Sequence, residues 1–187
     1  MIFVLIWACF GLTGKGQNQN SFYFENLTRQ HGLVQSNIRT ITSDHEGYVW
    51  LGSSDGLYKW DGTSLSVYRS KGEDSISLSD PNITALYEDP DHSGLWIGTT
   101  FGGLNFLDFS TNHFRHWHTA DNNHHNLNNI LSICRVNDST LIAGTESKGL
   151  FLLHFSGQQL LQSQKIQNKE TTKQYRVFSI KKFGNKI

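Results

Sequence analysis

This chain of 187 residues has two groups of side chains that could bind a metal ion or catalyse a reaction. They are nine histidines and a set of acidic residues in short turns. The histidines concentrate at His113, His116, His118, His124 and His125. His116 and His118 would point the same way on one strand, where two imidazoles can bind a metal ion. No cysteine or paired carboxylate lies at ligand spacing from them. We therefore expect an exposed outer strand with a polar loop, no metal site and no cofactor.

The acidic residues raise a second hypothesis, a carboxylate pair for glycosidic cleavage. Most of them occupy equivalent turn positions in successive stretches of the chain, where an Asp side chain caps a hairpin turn. A catalytic pair should instead be unique, and no GxSxG nucleophile elbow occurs. We therefore do not expect an enzyme. The residues concerned are Asp44, Glu46, Asp55, Asp61, Asp89 and Asp91.

Composition indicates a folded domain without a charged macromolecular partner. Hydrophobic residues make up 37% and aromatic residues 12% of the chain, which argues against disorder. The 16 basic residues balance 16 acidic ones, so charge does not favour nucleic acid or an anionic membrane as a partner. Basic residues exceed acidic ones over residues 157–187, which is the pattern of a solvated loop. We expect no nucleic-acid binding.

The N-terminus predicts export. Residues 2–12 form an apolar run, which is shorter than the ~20 residues of a membrane span but fits the core of a signal peptide. Small residues around Lys15 suit signal peptidase, so we predict a signal peptide over residues 1–16 and a mature chain from Gln17. A lipoprotein box at Cys9 and an uncleaved buried segment are the alternatives.

A repeat organises the rest of the chain. Each copy opens on an Asn followed by an apolar residue, reaches an apolar-x-Gly step, and continues to a Gly-Leu pair. The glycines of the second landmark are spaced 46 and 46 residues apart. Three landmarks kept in phase predict three equivalent structural units. The repeat positions are Asn37, Trp50, Gly52 and Gly56 in the first copy, Asn82, Trp96, Gly98 and Gly103 in the second, and Asn129, Gly144 and Gly149 in the third.

Each copy reads as four short strands, because runs of aromatic and β-branched residues alternate with Asp-Gly and Gly-rich turns typical of antiparallel hairpins. A four-stranded sheet of this length cannot bury both faces alone, whereas radial stacking of such sheets in a β-propeller does. The predicted strands are Ile38–Thr42, Tyr48–Gly52, Leu57–Trp60, Leu65–Tyr68, Ile83–Glu88, Leu95–Thr99, Leu104–Leu107, His113–His118, Ile130–Val136, Thr140–Thr145, Leu150–Phe155 and Gln159–Gln164.

We therefore predict an all-β chain that forms an incomplete β-propeller ring. The predicted units are a lead-in over residues 17–35 with a ring-closing outer strand around Tyr23, blade 1 over 36–80, blade 2 over 81–127, blade 3 over 128–174, and the truncated start of blade 4 over 175–187. Trp50 and Trp96 occupy the same strand of successive copies, so we expect them to pack between blades rather than to stack on a sugar.

The first copy, residues 37–62, closely resembles the two-component regulator propeller repeat. The family pattern is Asn-apolar, an Asp-x-x-Gly turn, apolar-Trp-apolar-Gly-Thr, Gly-Leu, and then an aromatic residue near Asp. The second copy matches over 91–99 and 103–105, whereas the third departs at its turn and at Ile142, which replaces Trp. The resemblance covers roughly residues 22–187. It implies the N-terminal, periplasmic sensor part of a Bacteroidetes hybrid two-component histidine kinase and response regulator.

In that family the propeller carries a ligand site and is followed by a linking β-domain, a membrane helix, a histidine kinase, a receiver and a DNA-binding domain. The resemblance implies an oligosaccharide or another small periplasmic ligand, and signalling to a kinase that this chain does not contain. The expected partners are the remaining blades and the kinase of an inner-membrane protein, and a second copy of that protein in a dimer. The alternative hypothesis is a truncated or degenerate propeller fragment with no independent function.

Propeller geometry places a ligand site where two sets of loops converge. These are the loops between the second and third strands of each blade and the loops that join successive blades. Asp55, Phe101, Glu146 and Lys148 stand at corresponding positions in the first set and differ in chemistry. Because the scaffold does not dictate such residues, their variation is what a binding face would show. We predict that these four residues bind the ligand.

Overall fold

A computed structural model describes residues 26–34, 37–72, 74–117, 127–166 and 175–182. The predicted signal peptide and the ring-closing strand lie outside these ranges, as do His118, His124 and His125. A short 3-10 helix, Arg29–His31, precedes twelve described strands. The strands are β1 Ile38–Ser43, β2 Val49–Ser53, β3 Leu57–Trp60, β4 Leu65–Tyr68, β5 Ile83–Glu88, β6 Gly94–Thr99, β7 Leu104–Asp108, β8 His113–Trp117, β9 Ile130–Asn137, β10 Thr140–Thr145, β11 Leu150–Ser156 and β12 Gln159–Ile166.

The strands form three antiparallel sheets, each with four strands in chain order. We call them blade 1 (β1 to β4), blade 2 (β5 to β8) and blade 3 (β9 to β12). Every predicted strand is present, with ends that differ by at most two residues. The first strand of blade 2, β5, contacts the first strands of both neighbours, β1 and β9, so these three are the inner strands of the arrangement. The all-β propeller architecture is therefore confirmed.

The core lies between the sheets rather than within one of them. Strands β6 and β10 are buried at every residue, because a neighbouring sheet or segment covers each of their faces. Trp50 of blade 1 stacks on Phe109 of blade 2, with ring centroids 5.7 Å apart. Trp96 of blade 2 packs against Phe155 of blade 3, at 5.5 Å. Both tryptophans thus pack between blades, as the sequence predicts.

Each second strand also carries a glycine that receives an aliphatic side chain from the next unit. A β-carbon on Gly52 would lie 2.5 Å from Ile83 Cγ2, and one on Gly98 would lie 2.7 Å from the Ile130 carbonyl oxygen. A β-carbon on Gly144 would lie 2.7 Å from Val177 Cγ1. These repeat glycines are therefore sockets for the first strand of the following unit.

Residues 175–182 occupy the position of a fourth inner strand next to blade 3. The Val177 N–H donates to the Thr145 carbonyl at 3.0 Å, and the Val177 carbonyl accepts from Ser132 Oγ at 3.0 Å. They form no regular strand, because no second strand pairs with them among the described residues. No helix in the described ranges has the length and apolarity that crossing a membrane requires.

Candidate functional site

The loops between second and third strands have one repeated anchor. The hydroxyls of Ser53, Thr99 and Thr145 donate to the carbonyls of the glycines that end these loops, at 3.0, 2.8 and 3.0 Å. The glycine acceptors are Gly56, Gly103 and Gly149. We call the side of the molecule that carries these loops, residues 54–55, 100–102 and 146–148, the loop face. The opposite side, with the turns at 44–48, 89–93 and 138–139, is the turn face.

When the three loops are aligned on this hydrogen bond, the predicted site residues no longer fall at one equivalent position. The first loop has one residue fewer than the other two, so Glu146 corresponds to Thr100 and Phe101 corresponds to Ser147. Asp55, Phe101, Glu146 and Lys148 therefore lie in one set of loops, but they do not occupy a single repeated position. The difference is visible in the glycine spacing, because Gly52 and Gly56 are four residues apart, whereas the corresponding glycines of the second and third copies are five apart.

The four residues differ in their surroundings. Asp55 accepts hydrogen bonds from Ser53 Oγ at 2.7 Å and from the Tyr58 hydroxyl at 2.8 Å. Burial opposes ionisation of Asp55, but these bonds and the Arg69 guanidinium outweigh it and hold the pKa of Asp55 below its usual value. Phe101 is 72% exposed, and the Lys148 side chain is half-buried. Asp55 thus stabilises its loop, whereas Phe101 presents an aromatic ring to solvent.

Glu146 faces a cavity on the axis of the inner strands. Its carboxylate accepts hydrogen bonds from the Asn129 side-chain amide and from Arg176, the latter at 2.6 Å. The cavity has a volume of about 400 Å³ and lies toward the loop face. We call it the axial cavity. It is lined by Arg39, Thr84, Thr100, Asn129, Leu131, Glu146 and Phe178.

Three of these lining residues lie at β-bulges in the inner strands. The pairing of each inner strand with its neighbour skips one residue, which is Arg39 in β1, Thr84 in β5 and Leu131 in β9. A bulged residue has no partner on the neighbouring strand, so its side chain does not follow the regular alternation between the two faces of the sheet. Phe178 follows Val177 as Leu131 follows Ile130. The bulges thus bring three chemically different side chains to the axial cavity, and Phe178 lies at the corresponding position of the segment after blade 3.

One polar group of the axial cavity lacks a protein partner. The Thr100 hydroxyl is buried and makes no hydrogen bond within the described part of the chain. Buried polar groups are nearly always hydrogen-bonded, so an orphaned hydroxyl in a cavity indicates a place for a polar ligand atom or a water molecule. Phe178 is 68% exposed, and the Arg176 guanidinium lies 5.5 Å from its ring centroid. The cavity therefore offers both apolar and polar contacts.

Arg39, Thr84, Leu131 and Phe178 are not among the site residues predicted from the sequence. A sequence signal exists for the first three, because each directly follows the Asn-Ile pair that opens its copy of the repeat. Phe178 follows Arg176 and Val177 at the corresponding position of the last segment. A variable residue inside such a regular motif indicates a position that the scaffold does not constrain.

The turn face is built around a repeated pair of aspartate and tryptophan. Trp50 Nε1 donates to Asp44 Oδ2 at 2.7 Å, and Trp96 Nε1 donates to Asp89 Oδ2 at 2.5 Å. In blade 3 both members of the pair are apolar. Ile142 takes the place of the tryptophan, and Val136 takes the place of the aspartate. The loss of the donor together with the acceptor leaves no buried polar group without a partner.

Ionic contacts join neighbouring blades on this face. The Arg135 guanidinium of blade 3 binds Asp89 and also Asp91, the latter at 3.1 Å, both in blade 2. At the junction of blades 1 and 2, Glu88 Oε1 accepts from His45 Nδ1 at 2.8 Å and from His92 Nδ1 at 3.1 Å. Burial of Glu88 opposes its ionisation, but the bonds from both histidines outweigh burial and keep the pKa of Glu88 below its usual value.

A second cavity, of about 250 Å³, lies between blades 2 and 3 at the turn face. Trp96, Trp117 and Phe155 form its apolar wall, and Arg115 and Arg135 lie at its polar edge. Trp117 Nε1 donates to the Gln158 carbonyl at 3.2 Å. The aromatic side chains pack against one another, so this cavity is part of the interface between the blades.

The low pKa of Asp108 predicts an acid-sensitive fold. Hydrogen bonds from Ser110 and Thr111, together with Arg115, outweigh partial burial and lower the pKa of Asp108 below its ordinary value of 3.8. Ionised Asp108 therefore stabilises the fold above that value, and this contribution disappears as pH falls through the folded-state pKa. We expect Asp108→Asn to lower Tm at pH 6 and to flatten the fall of Tm between about pH 4 and 2. Thermal unfolding monitored by circular dichroism measures both.

The exposed carboxylate of Glu46 provides the control. Glu46→Gln should leave the curve of Tm against pH unchanged. Parallel curves for the wild-type chain and Asp108→Asn would contradict the role assigned to Asp108.

Comparison with known proteins identifies the repeat. Residues 32–55 and 77–101 match the family model of the two component regulator propeller. Histidine kinase P4 of Formosa agariphila is 40% identical over 76 residues, which make up 41% of this chain and 6% of that protein. The stretches that match the family model include the first two landmarks of each of these copies, Asn37 and Gly52 in the first and Asn82 and Gly98 in the second.

Solved structures share the fold. The extracellular domain of the hybrid two component system BT3049 from B. thetaiotaomicron superposes with a TM-score of 0.64 at 24% identity, over 72% of this chain and 19% of that one. The extracellular domain of BT4673 from the same organism gives a TM-score of 0.54 at 26% identity, over 66% and 18% of the two chains. The chain thus spans less than a fifth of the relatives it matches. Taken with the repeat, these matches show that the first two copies are similar to the two-component regulator propeller repeat and that the chain shares the fold of these extracellular domains.

Proposed function

We propose that this chain is part of the periplasmic ligand-sensing propeller of a hybrid two-component regulator, and that it binds an oligosaccharide in the axial cavity. The similarity to extracellular domains of two-component systems supports a sensing role. The observation that carries the site is the repeated bulge, because it directs Arg39, Thr84 and Leu131 toward one cavity.

The chemistry of the axial cavity suits a sugar. A sugar ring has apolar C–H faces and a rim of hydroxyls, so its site needs apolar surface beside a few well-placed polar groups. Phe178 and Leu131 provide the apolar surface. Arg39 and Asn129 provide donors, Glu146 provides an acceptor, and the Thr100 hydroxyl has unused hydrogen-bonding capacity. The predicted loop residues Asp55, Phe101 and Lys148 would form the outer rim of the same site.

Signalling would follow from a difference in affinity between two arrangements of the sensor. A ligand shifts a conformational equilibrium only as far as it binds one state better than the other. The axial cavity is lined by residues of blades 1, 2 and 3 and of the segment after blade 3. A ligand that contacts all four would favour one spacing of these units, and the full-length protein would pass this change to its kinase within a dimer.

Binding measurements on the complete sensor region test this proposal. An array of neutral oligosaccharides would identify a ligand, and calorimetry with the best binder would measure its affinity. We expect Phe178→Ala and Arg39→Ala each to weaken binding by about tenfold or more, the range of a central contact residue. Phe101→Ala combined with Glu146→Ala tests the loop prediction in the same assay.

Leu161→Ala is the matched control, because Leu161 is 62% exposed on β12 and does not line the axial cavity. It should bind as the wild type does. Unchanged affinity in both Phe178→Ala and Arg39→Ala would refute the site.

One observation favours the alternative, a propeller fragment without independent function, because blade 1 leaves an apolar residue of its inner strand uncovered. Ile41 on this strand is 65% exposed, whereas the equivalent Ile133 of blade 3 is 6% exposed. A well-folded chain that binds no member of the array would favour this alternative.

A further inference from the structure

Three side chains at the junction of blades 1 and 2 converge on one point of the turn face. His45 Nδ1 and His92 Nδ1 lie 2.8 and 3.1 Å from the same atom, Glu88 Oε1. One ligand atom from each residue lies within 4.8 Å of the other two. The two imidazole rings stack with centroids 4.4 Å apart and an angle of 27°. Two nitrogen donors and one carboxylate oxygen thus face a common space.

The backbone of the junction holds this arrangement in place. The His45 N–H donates to Glu88 Oε1 at 3.0 Å, which fixes the carboxylate against the turn of blade 1. The side chain of Glu88 is only 18% exposed, whereas those of His45 and His92 are 37% and 52% exposed. The carboxylate is therefore shielded at the base of the cluster, and the imidazoles are accessible from solvent.

The conformation of His92 is a second, independent observation. In blade 1 the Gly47 N–H closes the turn by donating to the Asp44 carbonyl, and in blade 2 the His92 N–H donates to the Asp89 carbonyl in the same way. Gly47 has φ +88°, and His92 has φ +60°. The turn therefore requires a left-handed residue, which glycine adopts without strain and histidine does not. Such strained residues cluster at functional sites, so the histidine at a glycine position indicates a role for its side chain.

The donor set selects the class of ion. Calcium and magnesium prefer oxygen ligands, whereas imidazole suits zinc, copper and nickel. Metal–nitrogen and metal–oxygen bonds of about 2.0–2.2 Å place two ligand atoms of one tetrahedral zinc ion roughly 3.3–3.6 Å apart. The imidazole nitrogens lie 2.8 and 3.1 Å from Glu88 Oε1, so the ligand atoms would separate by only a few tenths of an ångström to admit the ion. Three protein ligands would leave one coordination position for water.

We propose that His45, Glu88 and His92 bind a divalent transition-metal ion of the zinc class, which bridges blades 1 and 2. His45 and His92 would ligate through Nδ1, with the proton of each neutral ring on Nε2. The ion would replace the two imidazole hydrogen bonds to Glu88, of which the one from His45 joins the blades and the one from His92 lies within blade 2, by metal–ligand bonds. Because only the folded chain brings the three ligands together, binding would stabilise the propeller.

Titration of the untagged, chelator-treated full chain with ZnCl2 tests this site. We expect one ion to bind and, at about a hundredfold excess over Kd, to raise Tm by about 5–10 °C. MgCl2 and CaCl2 should produce no shift. His45→Gln, Glu88→Gln and His92→Gly should each lose the response to zinc. His92→Gly should nevertheless fold at least as well as the wild type without metal, because glycine removes the backbone strain.

His113→Gln is the control, since His113 is exposed on β8 outside the cluster. It should retain the full response to zinc. The proposal is overturned if zinc leaves the Tm of the wild type unchanged. It is also overturned if zinc raises the Tm of His45→Gln and His92→Gly as much as that of the wild type, because the ion would then bind elsewhere.

Discussion

Replacement of Asp89 by alanine is expected to lower the free energy of unfolding by about 3–5 kcal/mol, the range for removing one partner of a buried ion pair. Asp89 is 2% exposed and receives Trp96 Nε1 on one carboxylate oxygen and the Arg135 guanidinium on the other. Its loss would leave a buried indole N–H unbonded and would weaken the contact between blades 2 and 3. Urea unfolding of the full chain, monitored by tryptophan fluorescence, measures the change.

Asp44→Ala is the matched control, because Asp44 caps the same turn in blade 1 and accepts the same bond from Trp50. No ion pair to Asp44 occurs within the described ranges. We expect Asp44→Ala to cost about 1–3 kcal/mol, the penalty for an unsatisfied buried donor. The difference between the two variants isolates the bridge to Arg135. Equal losses would show that this bridge contributes nothing to stability.

The second large effect is expected at Gly98. A β-carbon there would lie 2.7 Å from the Ile130 carbonyl oxygen and 2.8 Å from Ile130 Cγ2. Since the carbonyl belongs to the inner strand of blade 3, relief of the clash requires the two blades to separate. We expect Gly98→Ala to cost about 3 kcal/mol, at the upper end of the range for overpacking. The same unfolding experiment measures this loss.

Gly52→Ala tests the equivalent contact between blades 1 and 2, where we expect a smaller loss of stability than at Gly98. Its β-carbon would meet only side-chain atoms, Ile83 Cγ2 at 2.5 Å and Thr40 Cγ2 at 2.6 Å. Side chains adjust more easily than backbone, so we expect a cost of about 1–2 kcal/mol. Ile83→Ala should relieve part of this clash, and the double variant should therefore lose less than the sum of the single variants. Equal costs at Gly52 and Gly98, or strict additivity, would contradict the socket interpretation.

Most of the fold could be predicted because its determinants are local. Each hairpin is specified by a turn residue within a few positions of its strands, as Asp44 shows by accepting hydrogen bonds from two N–H groups of its own turn. The glycines of the repeat were also recognisable from the sequence. Their purpose as sockets was not, because the side chain that fills each one lies more than 30 residues away along the chain.

The candidate site was less accessible to sequence analysis, for two physical reasons. The side chains of the axial cavity depend on β-bulges, which no turn signal announces. The cluster of His45, Glu88 and His92 joins two blades, and its histidines lie 47 residues apart. The histidines considered as metal ligands in the sequence are close together along the chain. Closeness along the chain is weaker evidence for a metal site than closeness in space. The predicted roles of Asp55, Phe101, Glu146 and Lys148 stay predictions.

The glycine sockets also have an evolutionary consequence. Each unit offers a socket to its successor and a β-branched aliphatic side chain, Ile83, Ile130 or Val177, to its predecessor, so every junction is built from the same two halves. Unequal recombination between copies of the repeat would insert or delete one unit of 46 residues in the gene. The new neighbours would still meet as socket and side chain, so this contact would need no compensating substitution. Lineages can therefore change the number of blades in a single genetic event, while ligand preference changes separately at the bulged positions.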